Sequence, residues 1–137
     1  MTVLRIDHIA VVVPELKAAL EFWGAALGLS VEHIEEIVDQ ETLVAMLPVG
    51  ESEVELVQPT TETSGMARFM AKRGAGLHHI CFQVDDIDAA LARLKDEDIQ
   101  LINEQPVTGT GGRRVAFVHP RSATGVLVEL VQARDVI

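Results

Sequence analysis

A chain of 137 residues that is 48% hydrophobic and 23% charged has apolar material for one ordinary core and too much of it for a disordered chain. Eleven Lys and Arg against 21 Asp and Glu leave a net charge of −10, and aromatic residues make up only 4%, with no Tyr. Such a surface disfavours nucleic acid and anionic lipid and offers no platform for stacking bases, so the expected partner is a small molecule. The single cysteine, Cys81, excludes a disulfide framework and a cysteine-rich zinc site. The first 13 residues carry one basic residue and then Asp7 and His8 inside an apolar run, which is not the pattern of a secretory signal. No apolar stretch has the length of a membrane span, and the cytoplasm is the expected compartment.

In chain order, Arg5–Val13 is apolar and β-branched and reads as a strand buried on both faces or nearly so. Pro14 suits the first turn of a helix, and Leu16, Ala19, Leu20, Trp23 and Leu27 follow at helical spacing until Gly28 stops it. Segments near Val31–Ile37, Thr42–Leu47 and Glu53–Gln58 read as strands, the last two joined across Gly50-Glu51-Ser52. A short helix around Met66–Lys72 comes next. His78–Val84 is a further strand, and Asp85 or Asp86 caps a helix carrying Ile87, Ala90, Leu91 and Leu94. Strands are expected near Ile99–Asn103, Arg114–His119 and Val126–Gln132, with a flexible Gly109-Thr110-Gly111-Gly112 turn between the first two of them. The plan is βαβββ twice within one domain over 1–137: module one at about 4–60, a connecting helix at about 64–74, and module two at about 76–133.

The repetition is written in the residues themselves. Ile6-Asp7-His8-Ile9-Ala10-Val11-Val12-Val13 matches Leu77-His78-His79-Ile80-Cys81-Phe82-Gln83-Val84 at an offset of 71 (79 − 8), and Ala18-Ala19-Leu20 matches Ala89-Ala90-Leu91 at the same offset. Val54-Glu55-Leu56-Val57-Gln58 recurs unchanged as Val128-Glu129-Leu130-Val131-Gln132 at an offset of 74 (129 − 55).

Each copy therefore has one His in its first strand and one Glu in its last, both interrupting apolar runs. A carboxylate in a buried strand is costly unless it is paired or bound to a metal. For any one of these residues alone, a solvent-facing or hydrogen-bonded role is the commoner one, and the alternation of a strand allows each Glu to face water. Their occurrence at repeat-equivalent positions makes one shared solution the better expectation. If the copies pack about a pseudo-twofold axis, His8, Glu55, His79 and Glu129 converge, and two imidazoles with two carboxylates suit a divalent transition metal with positions open for water or substrate. His78 faces the other way from His79, and Cys81 reads as a small apolar filler.

Asp7-His8-Ile9-Ala10-Val11, Gly76-Leu77-His78-His79-Ile80, Val84-Asp85-Asp86-Ile87 and the stretch Gly109–Gln132 resemble the methylmalonyl-CoA epimerases of the vicinal oxygen chelate (glyoxalase-like) superfamily. The first motif is generic to the superfamily; Gly111–Ser122 followed by Gly125–Leu130 resembles the epimerase branch. The resemblance covers Ile6–Gln132. It implies an α+β fold of paired βαβββ modules forming a cupped mixed sheet around a metal, and its ligand positions match the same four residues. The implied reaction is interconversion of (R)- and (S)-methylmalonyl-CoA by removal and return of the α-proton through an enolate.

That reaction needs acid/base groups on both faces of a planar intermediate. Glu129 is the first choice for one, and Glu55, its repeat partner, for the other, with Glu41 a further candidate. Some family members use a non-ligating Glu in the third strand of module one; the register here puts Val44 there, between Leu43 and Ala45, so the second base stays open. Arg113, Arg114, Arg121 and Ser122 are candidates for holding substrate, and either these arginines or Arg68, Lys72 and Arg73 on the connecting helix form the basic rim that coenzyme A phosphates require. Cobalt is the favoured ion, with manganese, nickel, zinc and iron suited by the same ligands, and a homodimer is expected from the need to cover sheet edges. The competing functions are a glyoxalase I-type isomerase, an extradiol dioxygenase on the same scaffold, and a binding module without chemistry, which would lack the ligand residues.

Overall fold

A computed structural model describes residues 1–134; the end of the expected domain, 135–137, lies outside the described residues. The strands are β1 (Val3–Val12), β2 (His33–Ile37), β3 (Thr42–Val49), β4 (Ser52–Pro59), β5 (Gly76–Val84), β6 (Val107–Thr108), β7 (Arg114–Val118) and β8 (Val128–Gln132). The helices are α1 (Leu16–Leu20), α2 (Gly65–Arg73) and α3 (Ile87–Asp96). By its contacts the chain divides into two units, His8–His78 and Met1–Asp7 together with the chain from His79 onward. β1 thus begins in one unit and ends in the other.

In the unit His8–His78 the strand order is β2-β3-β4-β1, with β1 and β4 parallel and β3 antiparallel to both β2 and β4. Its core is Val11, Val13, Leu16, Ala45, Leu47 and Leu56, with Leu20 and Trp23 packed on it. The other unit runs β5-β8-β7-β6, with the start of β1 alongside β5; β5 and β8 are parallel and β7 is antiparallel to its neighbours. Its main core is Val84, Ile87, Ala90, Leu91, Ala116 and Leu130. The two cores are copies of one another: Val13 and Leu16 map to Val84 and Ile87 at the offset of 71, and Leu56 to Leu130 at the offset of 74.

The repeated pentapeptide also ties each helix to its sheet. Gln58 Oε1 accepts the Leu16 N–H at 2.7 Å, and Gln132 Oε1 accepts the Ile87 N–H at 2.8 Å. A helix start leaves N–H groups without partners inside the helix, and here a glutamine on the neighbouring strand supplies one acceptor in both units. Replacing Gln132 by Leu keeps its bulk and strands the Ile87 N–H, so unfolding free energy is expected to fall by about 1–2 kcal/mol in urea titration. An unchanged midpoint would show that this bond is dispensable.

Several expectations are corrected. β1 is buried at Ala10, Val11 and Val12, but Val3, Leu4 and Ile6 are 50%, 51% and 39% exposed, so its first half is not a buried strand. The single helix expected up to Leu27 is α1 followed by a π-helical turn at Glu21–Ala26, closed by the Leu27 N–H on the Phe22 carbonyl at 2.7 Å. That wider turn carries Leu27 off the apolar stripe and leaves it exposed, while Leu16, Leu20 and Trp23 keep their places on the core.

Ile99–Asn103 forms no strand; Leu101 makes one isolated bridge to Val118, and β6 takes the outer position on β7. The Asn103 side chain accepts the Phe117 N–H at 2.9 Å, and the N–H groups of Ile102 and Asn103 both donate to the Phe117 carbonyl, so local contacts use the groups a ladder would need. β8 starts at Val128 rather than Val126 because Thr124 and Gly125 take positive φ and the Val126 N–H turns back to Ala123. Of the two candidate caps, Asp86 accepts the Ala89 N–H, whereas Asp85 accepts the N–H of Thr2. No helix among the described residues is long and apolar enough to cross a membrane.

Candidate metal and substrate site

Parallel pairing sets the first His–Glu pair. β1 and β4 align Ala10 with Glu55, and the partner of Glu55 on β3 is Met46. His8, two residues before Ala10, lies on the same strand face. Its Nε2 is 3.2 Å from Glu55 Oε2, and both side chains are mostly buried.

A second pair, in the other unit, repeats the first residue by residue. β5 and β8 align Cys81 with Glu129, and the partner of Glu129 on β7 is Phe117. His79 Nε2 is 3.3 Å from Glu129 Oε1, and both residues are only 8% exposed. Phe117 stands edge-on to the His79 ring, with centroids 5.6 Å apart and planes at 85°. Each pair brings an imidazole nitrogen to a carboxylate oxygen at the spacing of neighbouring ligands on one ion, which for bonds of about 2.1 Å is roughly 3.0–3.4 Å. An imidazole and a carboxylate are also donors of intermediate softness, in each pair. The residues fit a divalent transition metal.

The other candidates scatter. Val44 lies two residues before Met46 on β3, on the face of Glu55, and is buried; Leu43 and Ala45 flank it, so β3 brings no carboxylate there. Glu41 precedes β3 in the left-handed region (φ 54°), and its carbonyl accepts the Thr60 N–H. Arg114 faces α3, where two hydrogen bonds of 3.0 and 2.9 Å hold Asp88. Those bonds keep the Asp88 carboxyl below its ordinary range and raise the Arg114 guanidinium. Ser122 Oγ accepts the Gln100 N–H, and Arg121 is exposed, its backbone N–H donating to His119 Nδ1. Arg68, Lys72 and Arg73 are exposed on α2, with Arg73 lying over the Phe69 ring at 5.8 Å. His78 packs edge-on against Phe69, away from its neighbour His79. Cys81 is fully buried beside Val115 and Val131.

Arg113 differs from the other arginines. Its side chain is mostly buried, and Nη1 meets Asp7 Oδ1 at 2.9 Å. Sequence reasoning overlooked Asp7, although the signal that exposed His8 applies to it equally: a charged residue inside an apolar strand. Gln58 and Gln132 were missed as well, though they close the very pentapeptide that revealed the repeat.

Residues 7–117 match the family model of the Glyoxalase/Bleomycin resistance protein/Dioxygenase superfamily. The chain is similar to the mitochondrial methylmalonyl-CoA epimerase of Homo sapiens, 38% identical over 94% of this chain and 74% of that protein. It is 37% identical to the ethylmalonyl-CoA/methylmalonyl-CoA epimerase of Cereibacter sphaeroides, over 93% of this chain and 97% of the other. Among solved structures it is similar to a variant of the Streptomyces coelicolor methylmalonyl-CoA epimerase in complex with 2-nitronate-propionyl-CoA. That match has a TM-score of 0.89 and 38% identity and covers 98% of both chains.

Proposed function

The chain belongs to the Glyoxalase/Bleomycin resistance protein/Dioxygenase superfamily and, within it, to the family of the methylmalonyl-CoA epimerases, and on that ground we propose that it interconverts (R)- and (S)-methylmalonyl-CoA. The observation that carries this reading is the duplicated pair His8–Glu55 and His79–Glu129, at 3.2 and 3.3 Å, on identical strand registers. In this reading the four side chains hold one divalent metal.

A proton beside a thioester carbonyl is too weakly acidic for an unaided carboxylate to remove. A bound divalent ion supplies Lewis-acid charge at the thioester oxygen, which lowers that barrier. The chain's own residues then move the proton. Glu129 takes it from one face of the α-carbon, where its low exposure limits competing water. Return to the opposite face requires a second group, and Glu55, the repeat equivalent of Glu129, is the residue to which we assign it. The apolar Val44 on β3 is consistent with that assignment, because no carboxylate of that strand competes for the role. Cobalt is our preferred ion, and a homodimer in the cytoplasm goes with the reading.

Proton NMR of methylmalonyl-CoA in deuterated water tests this directly. Metal-loaded protein should erase the α-proton resonance, a chelator should stop the exchange, and cobalt or another divalent ion should restore it. Folded, metal-loaded protein that leaves the resonance intact would overturn the assignment.

A further inference from the structure

Arg113 follows Gly112 (φ 74°) in extended conformation (φ −76°, ψ 146°) and leads into β7. The Gly109 N–H donates to its carbonyl at 2.7 Å, and Gly109 sits so close to β7 that an added Cβ would come within 2.9 Å of Val115 Cγ2. The loop is thereby pinned. Alternation along β7 puts Arg113, Val115 and Phe117 on one face, and Phe117 on that face touches His79 and pairs with Glu129. Asp7, the ion-pair partner of Arg113, has a carboxylate oxygen within 4.8 Å of Cys81 Sγ, and Cys81 is the β5 partner of Glu129. Arg114, one residue on, faces α3 instead.

Asp7 uses only one corner of the guanidinium. Its contact is with Nη1, while Nε and Nη2 are buried and meet no hydrogen-bond acceptor among the described residues. Two buried donors left without an acceptor are costly, so their retention calls for a function. Together Nε and Nη2 form the side edge of the guanidinium, whose two parallel N–H groups match the two oxygens of a planar carboxylate. Asp7 neutralises the arginine and fixes its orientation, while that edge stays without an acceptor among the described residues.

We propose that the Nε–Nη2 edge of Arg113 receives the free carboxylate of the acyl group and so makes a carboxylated acyl chain the specificity requirement of the site. This rests on the acyl-CoA reading above and goes beyond it by naming the residue that separates malonyl-type thioesters from plain acyl thioesters. The same edge also suits a coenzyme A phosphate. Its place on the face of His79 and Glu129, rather than on the exposed rim with Arg121, favours the reacting end of the substrate.

The test is equilibrium binding of methylmalonyl-CoA, propionyl-CoA and free coenzyme A to metal-loaded wild type, Arg113→Lys and Arg113→Met, with α-proton exchange recorded separately. Wild type should prefer methylmalonyl-CoA to propionyl-CoA. Arg113→Met should lose about 10- to 100-fold in affinity for methylmalonyl-CoA while holding propionyl-CoA and coenzyme A as before. Arg113→Lys keeps a cation opposite Asp7 but lacks the fork, so its preference should fall part of the way. This variant decides the matter if the Met variant fails to fold. Equal weakening toward all three ligands would mean that Arg113 grips a phosphate, and an unchanged preference in Arg113→Lys would mean that it grips nothing; either overturns the proposal. Wild type that shows the preference but no exchange would refute the epimerase reading and leave Arg113 as the carboxylate anchor.

Discussion

Replacing Glu129 by Gln should reduce α-proton exchange of methylmalonyl-CoA by about 10²- to 10⁴-fold, the usual worth of a positioned general base. The substitution is chosen for what it keeps. Gln has the shape of Glu and can offer an oxygen to an ion. It lacks basicity. Loss of exchange with an unchanged melting curve and near-normal metal content therefore isolates the proton-transfer role from the structural one. Glu129 is a buried charged group, so a variant that unfolds would point to a packing role, and Glu129→Asp, which keeps the charge, then separates the two. Full exchange by a folded Glu129→Gln protein would remove Glu129 from the chemistry.

His79→Ala should have the second large effect, on metal content as well as on rate. Removing a nitrogen ligand should weaken metal binding by more than the roughly 10- to 100-fold that loss of a supporting hydrogen bond costs. Elemental analysis of dialysed protein checks this without reference to activity. The neighbouring residue is the control. His78 packs on Phe69 with ring centroids 4.5 Å apart, so His78→Ala should leave the metal in place. Equal metal in both variants would mean that His79 is a packed histidine edge-on to Phe117 and nothing more.

Sequence by itself determined the duplication, and with it the four residues on which the proposed site rests. His8, Glu55, His79 and Glu129 stood out because a polar group inside an apolar strand is expensive and because each expense occurs twice at matching positions. The strands that carry them were legible for the same reason: alternation and β-branching are local properties, and the registers Ala10–Glu55 and Cys81–Glu129 follow from a repeat that folds the same way twice.

What tertiary structure alone decided depends on contacts between residues far apart in the chain. Ile99–Asn103 has the composition of a strand, yet the Asn103 side chain and two local N–H groups take up the Phe117 backbone, an outcome no period reveals. Leu27 has helical spacing, yet the π-helical turn rotates it into solvent. Above all, three arginines looked alike in the sequence, and their environments separate them: Arg114 is bound to Asp88, Arg121 is exposed, and Arg113 is drawn onto Asp7, which lies 106 positions away (113 − 7). Hydrophobic patterning tells which face a residue takes, because burial is paid residue by residue. The partner of a charge is set by the folded chain, since an ion pair forms only where the fold brings both groups within reach of each other.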